Sequence, residues 1–335
     1  MIIDAQSHGF HGKYIDQLIS AGGDWSKDEI TRVMLLMKNK PYYSDVGRRV
    51  EQLEKYGIGL QMVTVNNNLD CNRLTGDTPA QLKMAKAIND TMARLMEDSR
   101  GRLLGAASVP LVNFEGGGRQ EMERAIKTLG LKAVSIPTNL RGKAPDLPEF
   151  ESFWAEVARM DIAVYVHPNN PVIPIGRDYE AQYDLTRMFG WPFETTLILA
   201  RLVFSGIMER YPTLKVVNHH LGGGMIPFFL GRLNEIYATE NQERFIGRVL
   251  PEPLINYFSR FFYDTVVGES AAAIKCAYDV FGAEQLTFAT DMPWGPGTGL
   301  SQLADYPKVI RSLGFPDADN KKIFEGNAKR ILKLS

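Results

Sequence analysis

A closed (β/α)8 barrel of the TIM type, an α/β fold with insertions after strands 1 and 5, is what this sequence predicts. Eight short apolar, β-leaning segments alternate with segments whose apolar residues recur every three or four positions. Strands separated by helical crossovers build a parallel sheet, and eight such units favour closure over an open sheet. No Gly-x-Gly-x-x-Gly follows the first strand, which counts against a dinucleotide-binding open sheet. The length of 335 residues suits a barrel enlarged by insertions, since the fold commonly takes roughly 250. The chain reads as one domain over 1–335.

The first strand, Ile2 to Asp4, runs out into Gln6, Ser7 and His8. A polar and aromatic insertion follows, near 9–45, with a helical pattern from Lys27 to Lys38. Val46, Val50 and Leu53 share one face of a helix that Gly57 ends, and Leu60 to Val65 is the second strand. The helix from Thr78 to about Asp98 puts Leu82, Ala85, Ile88, Met92 and Leu95 on one stripe. Leu103 to Val109 and Lys132 to Ile136 are the third and fourth strands, each closed by a proline, with a helix from Gly118 to Leu129 between them. A helix from Pro148 to Met160 leads to the fifth strand, Ile162 to Val166, which ends at His167-Pro168. The second insertion, near 168–190, precedes a long helical stretch from Trp191 to Tyr211. Leu214 to Val217 is the sixth strand, ending at Asn218-His219-His220, and Gly222 to Gly224 lead into a helix from Pro227 to Tyr237. Arg260 to Tyr263 is the seventh strand, ending at Asp264. A helix from Glu269 to Phe281 leads to the eighth, Gln285 to Ala289, which runs into Thr290-Asp291-Met292-Pro293. Helices from Leu300 to Leu313 and from Asp319 to Leu334 complete the pattern.

Composition excludes several functions. The 38 basic and 39 acidic residues nearly cancel, so nothing draws the protein to nucleic acid or to an anionic membrane. No run of 18 apolar residues is present, and the N-terminus has neither a basic flank nor a long apolar stretch. Cys71 and Cys276 match no zinc or redox spacing and read as two reduced thiols. Together these predict a cytoplasmic protein.

Four of the five histidines, His8, His167, His219 and His220, directly follow strands, and Asp291 follows the last. In a barrel, those strand ends are where active sites are built. Imidazole and carboxylate are the usual ligands of zinc and similar ions. His8, His167 and Asp291, from strands one, five and eight, are placed to reach one ion in the mouth. Adjacent residues on a strand point to opposite faces, so one of His219 and His220 is expected to face the site as a general acid/base, with the other packed behind it. Arg49 presents a planar fork suited to a carboxylate, against the alternative of a solvated helix face. Trp191, Phe193 and Trp294 can line a pocket for a flat substrate or pack in the core. Asp264 reads equally as a hydrogen-bonded strand terminator or a site residue.

These residues resemble the amidohydrolase superfamily, in particular the branch holding aminocarboxymuconate semialdehyde decarboxylase and γ-resorcylate decarboxylase. The marks are Ile3-Asp4-Ala5-Gln6-Ser7-His8, Val166-His167-Pro168, Gly190-Trp191-Pro192-Phe193-Glu194-Thr195, His219-His220-Leu221-Gly222-Gly223, Thr290-Asp291-Met292-Pro293 and Gly326-Asn327-Ala328-Lys329-Arg330. The resemblance implies a distorted barrel with one divalent metal ion, Zn²⁺ first, with Mn²⁺ or Mg²⁺ as alternatives. His8, His167 and Asp291 match ligand positions, His220 matches the acid/base histidine with His219 beside it, and Arg49 matches a carboxylate-binding arginine. It implies a metal-dependent decarboxylase of an aromatic or unsaturated carboxylic acid. A hydrolase or hydratase using the same groups, and a binding subunit without catalysis, are the alternatives. A homodimer or larger assembly is implied too. Where the family opens with His-x-His or Glu-x-His, this chain has Gln6-x-His8, and a neutral amide is a poorer ligand for zinc.

Overall fold

Eight parallel strands follow one another in sequence order: β1 (Ile2–His8), β2 (Ile58–Thr64), β3 (Leu103–Ser108), β4 (Ala133–Pro137), β5 (Ala163–His167), β6 (Lys215–Asn218), β7 (Phe262–Asp264) and β8 (Leu286–Thr287). The computed structural model describes residues 1–21, 27–65, 69–74, 76–169, 183, 185–221, 225–238 and 242–335. Helices lie in the crossovers between strands, as the eight-fold (β/α) alternation predicts. The seam between the last and first strands is held by backbone bonds beyond β8. Ala5 N–H donates to Phe288 O at 2.8 Å, Asp291 N–H to Gln6 O at 3.1 Å, and His8 N–H to Met292 O at 2.7 Å.

β1 is longer than the three residues expected. Its partners run Asp4↔Gln61, Ser7↔Val63 and His8↔Thr64, with a register shift between Asp4 and Ser7. That irregularity sets more residues on β1 than on β2 and re-aims its side chains, as bulges do. β8 is shorter than expected, because past Thr287 the chain pairs irregularly across the seam.

Met62, Leu104, Ala106, Ala133, Ala163, Tyr165 and Val217 pack with Ile331 and Leu332 of the C-terminal helix Asn327–Leu332. That helix seals the barrel floor, away from the strand C-termini. The larger apolar layer lies between strands and outer helices and includes Met84, Ile88, Met92, Val134, Ile136, Trp154, Val164, Leu199 and Phe288. The stretch expected as one helix from Trp191 to Tyr211 breaks into Trp191–Phe204 and Ile207–Arg210. The cause is Gly206, at φ 80°, where an added Cβ would lie 1.4 Å from Arg248 Nη1. Most of the expected insertion near 168–190 lies outside the described residues, as do Gly222 to Gly224. Among the described residues no helix is long and apolar enough to cross a membrane.

Candidate metal centre

His8 ends β1 with its ring held by a neighbour. Thr64 Oγ1 donates to the Ser7 carbonyl at 3.3 Å, and it lies 3.0 Å from His8 Nδ1. The hydroxyl proton is thus committed, so His8 Nδ1–H donates to Thr64 and Nε2 is left with its lone pair. His167, at the end of β5, is fixed in the same sense. Its Nδ1 lies 2.8 Å from the Pro168 carbonyl, which only accepts, so Nε2 carries the lone pair here too. The two rings meet edge to face with centroids 4.7 Å apart.

β6 stops at Asn218, so alternation along a strand does not govern the two histidines after it. His220 and Leu221 take φ of 59° and 45°, and Asp264 fixes this turn by accepting their N–H groups at 3.0 and 2.9 Å. Alternation therefore does not set the two rings, and of the pair only His220 groups with His8 and His167 within reach of one ion. Both rings lie 5.3 Å from His167 and stack on each other at 29°. They differ in depth. His219 is fully buried against Tyr165, and neither ring nitrogen has a hydrogen-bond partner among the described residues, while the His220 side chain keeps 15% exposure. Asp264, with a third N–H from Val266, is the strand terminator.

Asp291 lies at the centre. Its Oδ1 is 3.2 Å from His8 Nε2, 3.4 Å from His220 Nε2 and 3.0 Å from Gln6 Nε2, which donates to it. Burial pushes this carboxyl up, but the His220 imidazole opposite it outweighs burial and holds it well below the usual carboxylate range. For His220, burial works against the charged ring, yet Asp291 and then Asp264 raise the imidazole above its ordinary value. His167 is held well below the ordinary value by burial and then by the other histidines, against the pull of Asp291.

The donor set fits a divalent cation. The ligating nitrogens of His8, His167 and His220 all lie within 4.8 Å of one another. Two donors each about 2.1 Å from a tetrahedral ion stand about 3.4 Å apart, close to the 3.2 Å between Asp291 Oδ1 and His8 Nε2. Lone pairs on His8 Nε2 and His167 Nε2 converge on the same place as the carboxylate. Gln6 directs its amide nitrogen, 3.0 Å from His8 Nε2, toward this cluster, and its buried Oε1 has no partner among the described residues.

Arg49 is not where the sequence reading put it. It is 2% exposed and lies beneath the site. Nε donates to Gln61 Oε1, Nη1 to the carbonyls of His8 and Tyr42, and Nη2 to Ser7 Oγ. A planar fork already spread over four acceptors holds the β1 tip in place and does not reach outward to grip a substrate. Gly9 permits this approach, since a Cβ there would lie 2.6 Å from Nη1. Trp294 does reach the site, with its ring 6.4 Å from His8, and Trp191 lies 6.0 Å from His220 and 6.3 Å from His167. Phe193 is half-buried, and no ring contact places it with the histidines among the described residues. The sequence reading missed Lys40, whose ammonium donates to Pro293 O at 2.8 Å and lies 5.2 Å from the Trp294 ring centre. A lysine after a helix carries no periodic signal. Only the Lys40-Pro41 junction hinted that the chain turns there.

A family model described as amidohydrolase matches residues 69–334. A 2-amino-3-carboxymuconate-6-semialdehyde decarboxylase from Dictyostelium discoideum is 30% identical over 254 residues, 76% of this chain and 67% of that protein. A gamma-resorcylate decarboxylase from Polaromonas sp. is 27% identical over 300 residues, 86% of this chain and 87% of that one. Among solved structures, a dihydroxybenzoic acid decarboxylase from Polaromonas sp., with bound manganese and the inhibitor 2-nitroresorcinol, gives a TM-score of 0.79 at 22% identity. It covers 99% of this chain and 97% of that one, a likeness that shows the shared fold.

Proposed function

Because the chain belongs to the amidohydrolase family, we propose that it is a metal-dependent decarboxylase that removes CO₂ from an aromatic or unsaturated carboxylic acid. The observation that carries this reading is the convergence of His8, His167, His220 and Asp291 on one point between two tryptophans. The decarboxylase relatives select the reaction from those such a point can support.

His8, His167 and Asp291 would hold the ion, with the Gln6 amide donating to the Asp291 carboxylate beside them. When bound, the metal supplies Lewis-acid stabilisation for negative charge gathering on the substrate. The chain's own residues do the rest. Thr64 and the Pro168 carbonyl keep the His8 and His167 lone pairs aimed inward. Trp191 and Trp294 flank the substrate ring and exclude water. His220, raised by Asp291, holds a proton at Nε2 and delivers it to the carbon that loses CO₂. Asp291 stabilises the protonated imidazole before transfer and shares the proton at Oδ1. His219 packs behind as support. Zn²⁺ suits the imidazole-rich set, while the manganese of the Polaromonas structure supports Mn²⁺, with Mg²⁺ as the third candidate. The protein acts as a single barrel domain over 1–335 in the cytoplasm. Exposed apolar side chains at Tyr183, Met188, Phe189 and Phe228 support a homodimer or larger assembly.

The test is CO₂ release from a panel of hydroxybenzoates and muconate semialdehydes by protein loaded with Zn²⁺, Mn²⁺ or Mg²⁺, with bound metal measured in parallel. Release from at least one acid, abolished by chelation and restored by metal, is expected. Metal binding with no CO₂ from any acid overturns the reading.

A further inference from the structure

The mouth of the site is unequal from side to side. On the β5–β6 side stand Trp191 and His220, with Asp264 behind them. On the β1–β8 side stand Trp294, Tyr43 and Lys40. The Trp294 ring is 6.0 Å from Tyr43 and 6.4 Å from His8, and the ammonium of Lys40 lies on its face. Lys40 is half-buried. Its bond to Pro293 O uses one N–H and leaves two further donors on the same nitrogen. Pro293 and Trp294 lie two and three residues after Asp291, and the Trp294 ring meets His8, so this cation sits at the rim of the metal cluster. Arg49, the cation the sequence offers for an anionic substrate, is consumed by four acceptors beneath the site.

Resting on the decarboxylase reading, we propose that Lys40 Nζ anchors a phenolate oxygen that the substrate keeps after CO₂ has left, with the ring lying against Trp294. The choice of a retained oxygen follows from where charge moves. Decarboxylation takes negative charge off the carboxylate, so a fixed cation on that group stabilises the ground state more than the transition state and slows the reaction. A cation on an oxygen that stays charged throughout orients the ring at no such cost. Burial lowers the ammonium's pKa while Asp291 pulls it back up, and an oxyanion beside it adds to that pull. The preferred substrate is therefore an aromatic acid with an acidic hydroxyl on the edge facing Lys40.

The test uses 2-nitroresorcinol, which has no carboxylate and whose phenolate absorbs at longer wavelength than its neutral form. It is titrated against metal-loaded wild type, Lys40→Met, Lys40→Gln and Lys40→Arg, with circular dichroism confirming that each is folded. Wild type is expected to bind it as the phenolate. Lys40→Met and Lys40→Gln should bind it roughly tenfold to a hundredfold more weakly, as expected for losing a charged hydrogen bond, with the bound absorbance shifted toward the neutral phenol. Lys40→Arg should restore the phenolate spectrum. On the best acid of the panel, Lys40→Met should raise KM while kcat stays within a few-fold. Unchanged affinity and spectrum in Lys40→Met, with wild type still releasing CO₂, overturns the Lys40 assignment alone. No CO₂ from wild type with any acid overturns the decarboxylase reading and this inference with it.

Discussion

Asp4 and Asp291 sit on either side of the seam where the barrel closes, yet their surroundings give them opposite characters. Asp4 is wholly enclosed. It accepts from Gln61 Nε2 at 2.6 Å, Thr290 N at 3.0 Å, Thr290 Oγ1 at 2.5 Å and Gln6 N at 3.3 Å. Burial raises its carboxyl to about 6 despite those donors. Asp291 keeps 15% exposure and faces imidazoles, which hold it ionised. One carboxylate is satisfied by neutral donors and belongs to the framework. The other faces imidazole nitrogens across the site, the arrangement that suits a cation. Burial of an acid alone does not mark a site. The kind of partner does.

Removing the charge from Asp291 should break this contrast most severely. Asp291→Asn is expected to lower CO₂ release by roughly 10³-fold and to cut bound metal, while its urea midpoint stays near wild type. A large loss of stability instead would place Asp291 with Asp4 in the framework. The second test compares wild type with Asp4→Asn across pH. The folded-state value of about 6 lies above the ordinary 3.8, so the folded protein binds this proton more tightly than the unfolded chain. The stability from Asp4 is complete below about pH 4 and is lost as pH rises toward 6. The unfolding free energy of wild type relative to Asp4→Asn should fall over that window by on the order of 3 kcal/mol and then level off. A flat difference would show that the donors cancel the burial. Thr290→Val removes one donor to Asp4 and should cost about 1–3 kcal/mol in chemical denaturation, with metal content unchanged. The mildest expected effect is at Trp191→Phe, which keeps an aromatic wall and should raise KM only a few-fold. A loss as large as at Asp291 would mean the indole does more than flank the ring.

The fold was legible because strand and helix periodicities repeat eight times, so errors at single boundaries did not matter. Each site histidine was visible for a related reason, since a polar residue where an apolar strand stops has few framework uses. What stayed hidden depended on partners distant in sequence. Arg49 reads as a surface-helix arginine until Ser7, His8, Tyr42 and Gln61 are seen around it. The strand rule failed at His219 and His220 because Asp264, 44 residues from His220, imposes a turn there. The register shift on β1 between Asp4 and Ser7 has no residue signature.

The seam also dictates when the protein gains its activity. The two imidazoles proposed as ligands are supplied by residue 167, but the carboxylate proposed to join them arrives only when the segment after β8 zips onto β1 through Ala5, Gln6 and His8. A nascent chain or truncated fragment ending before that segment can assemble most of the strands and still lack a complete coordination sphere. On the proposed ligand set, tight ion capture is a late event in biogenesis, and metal occupancy gauges whether the ring of strands has been fastened.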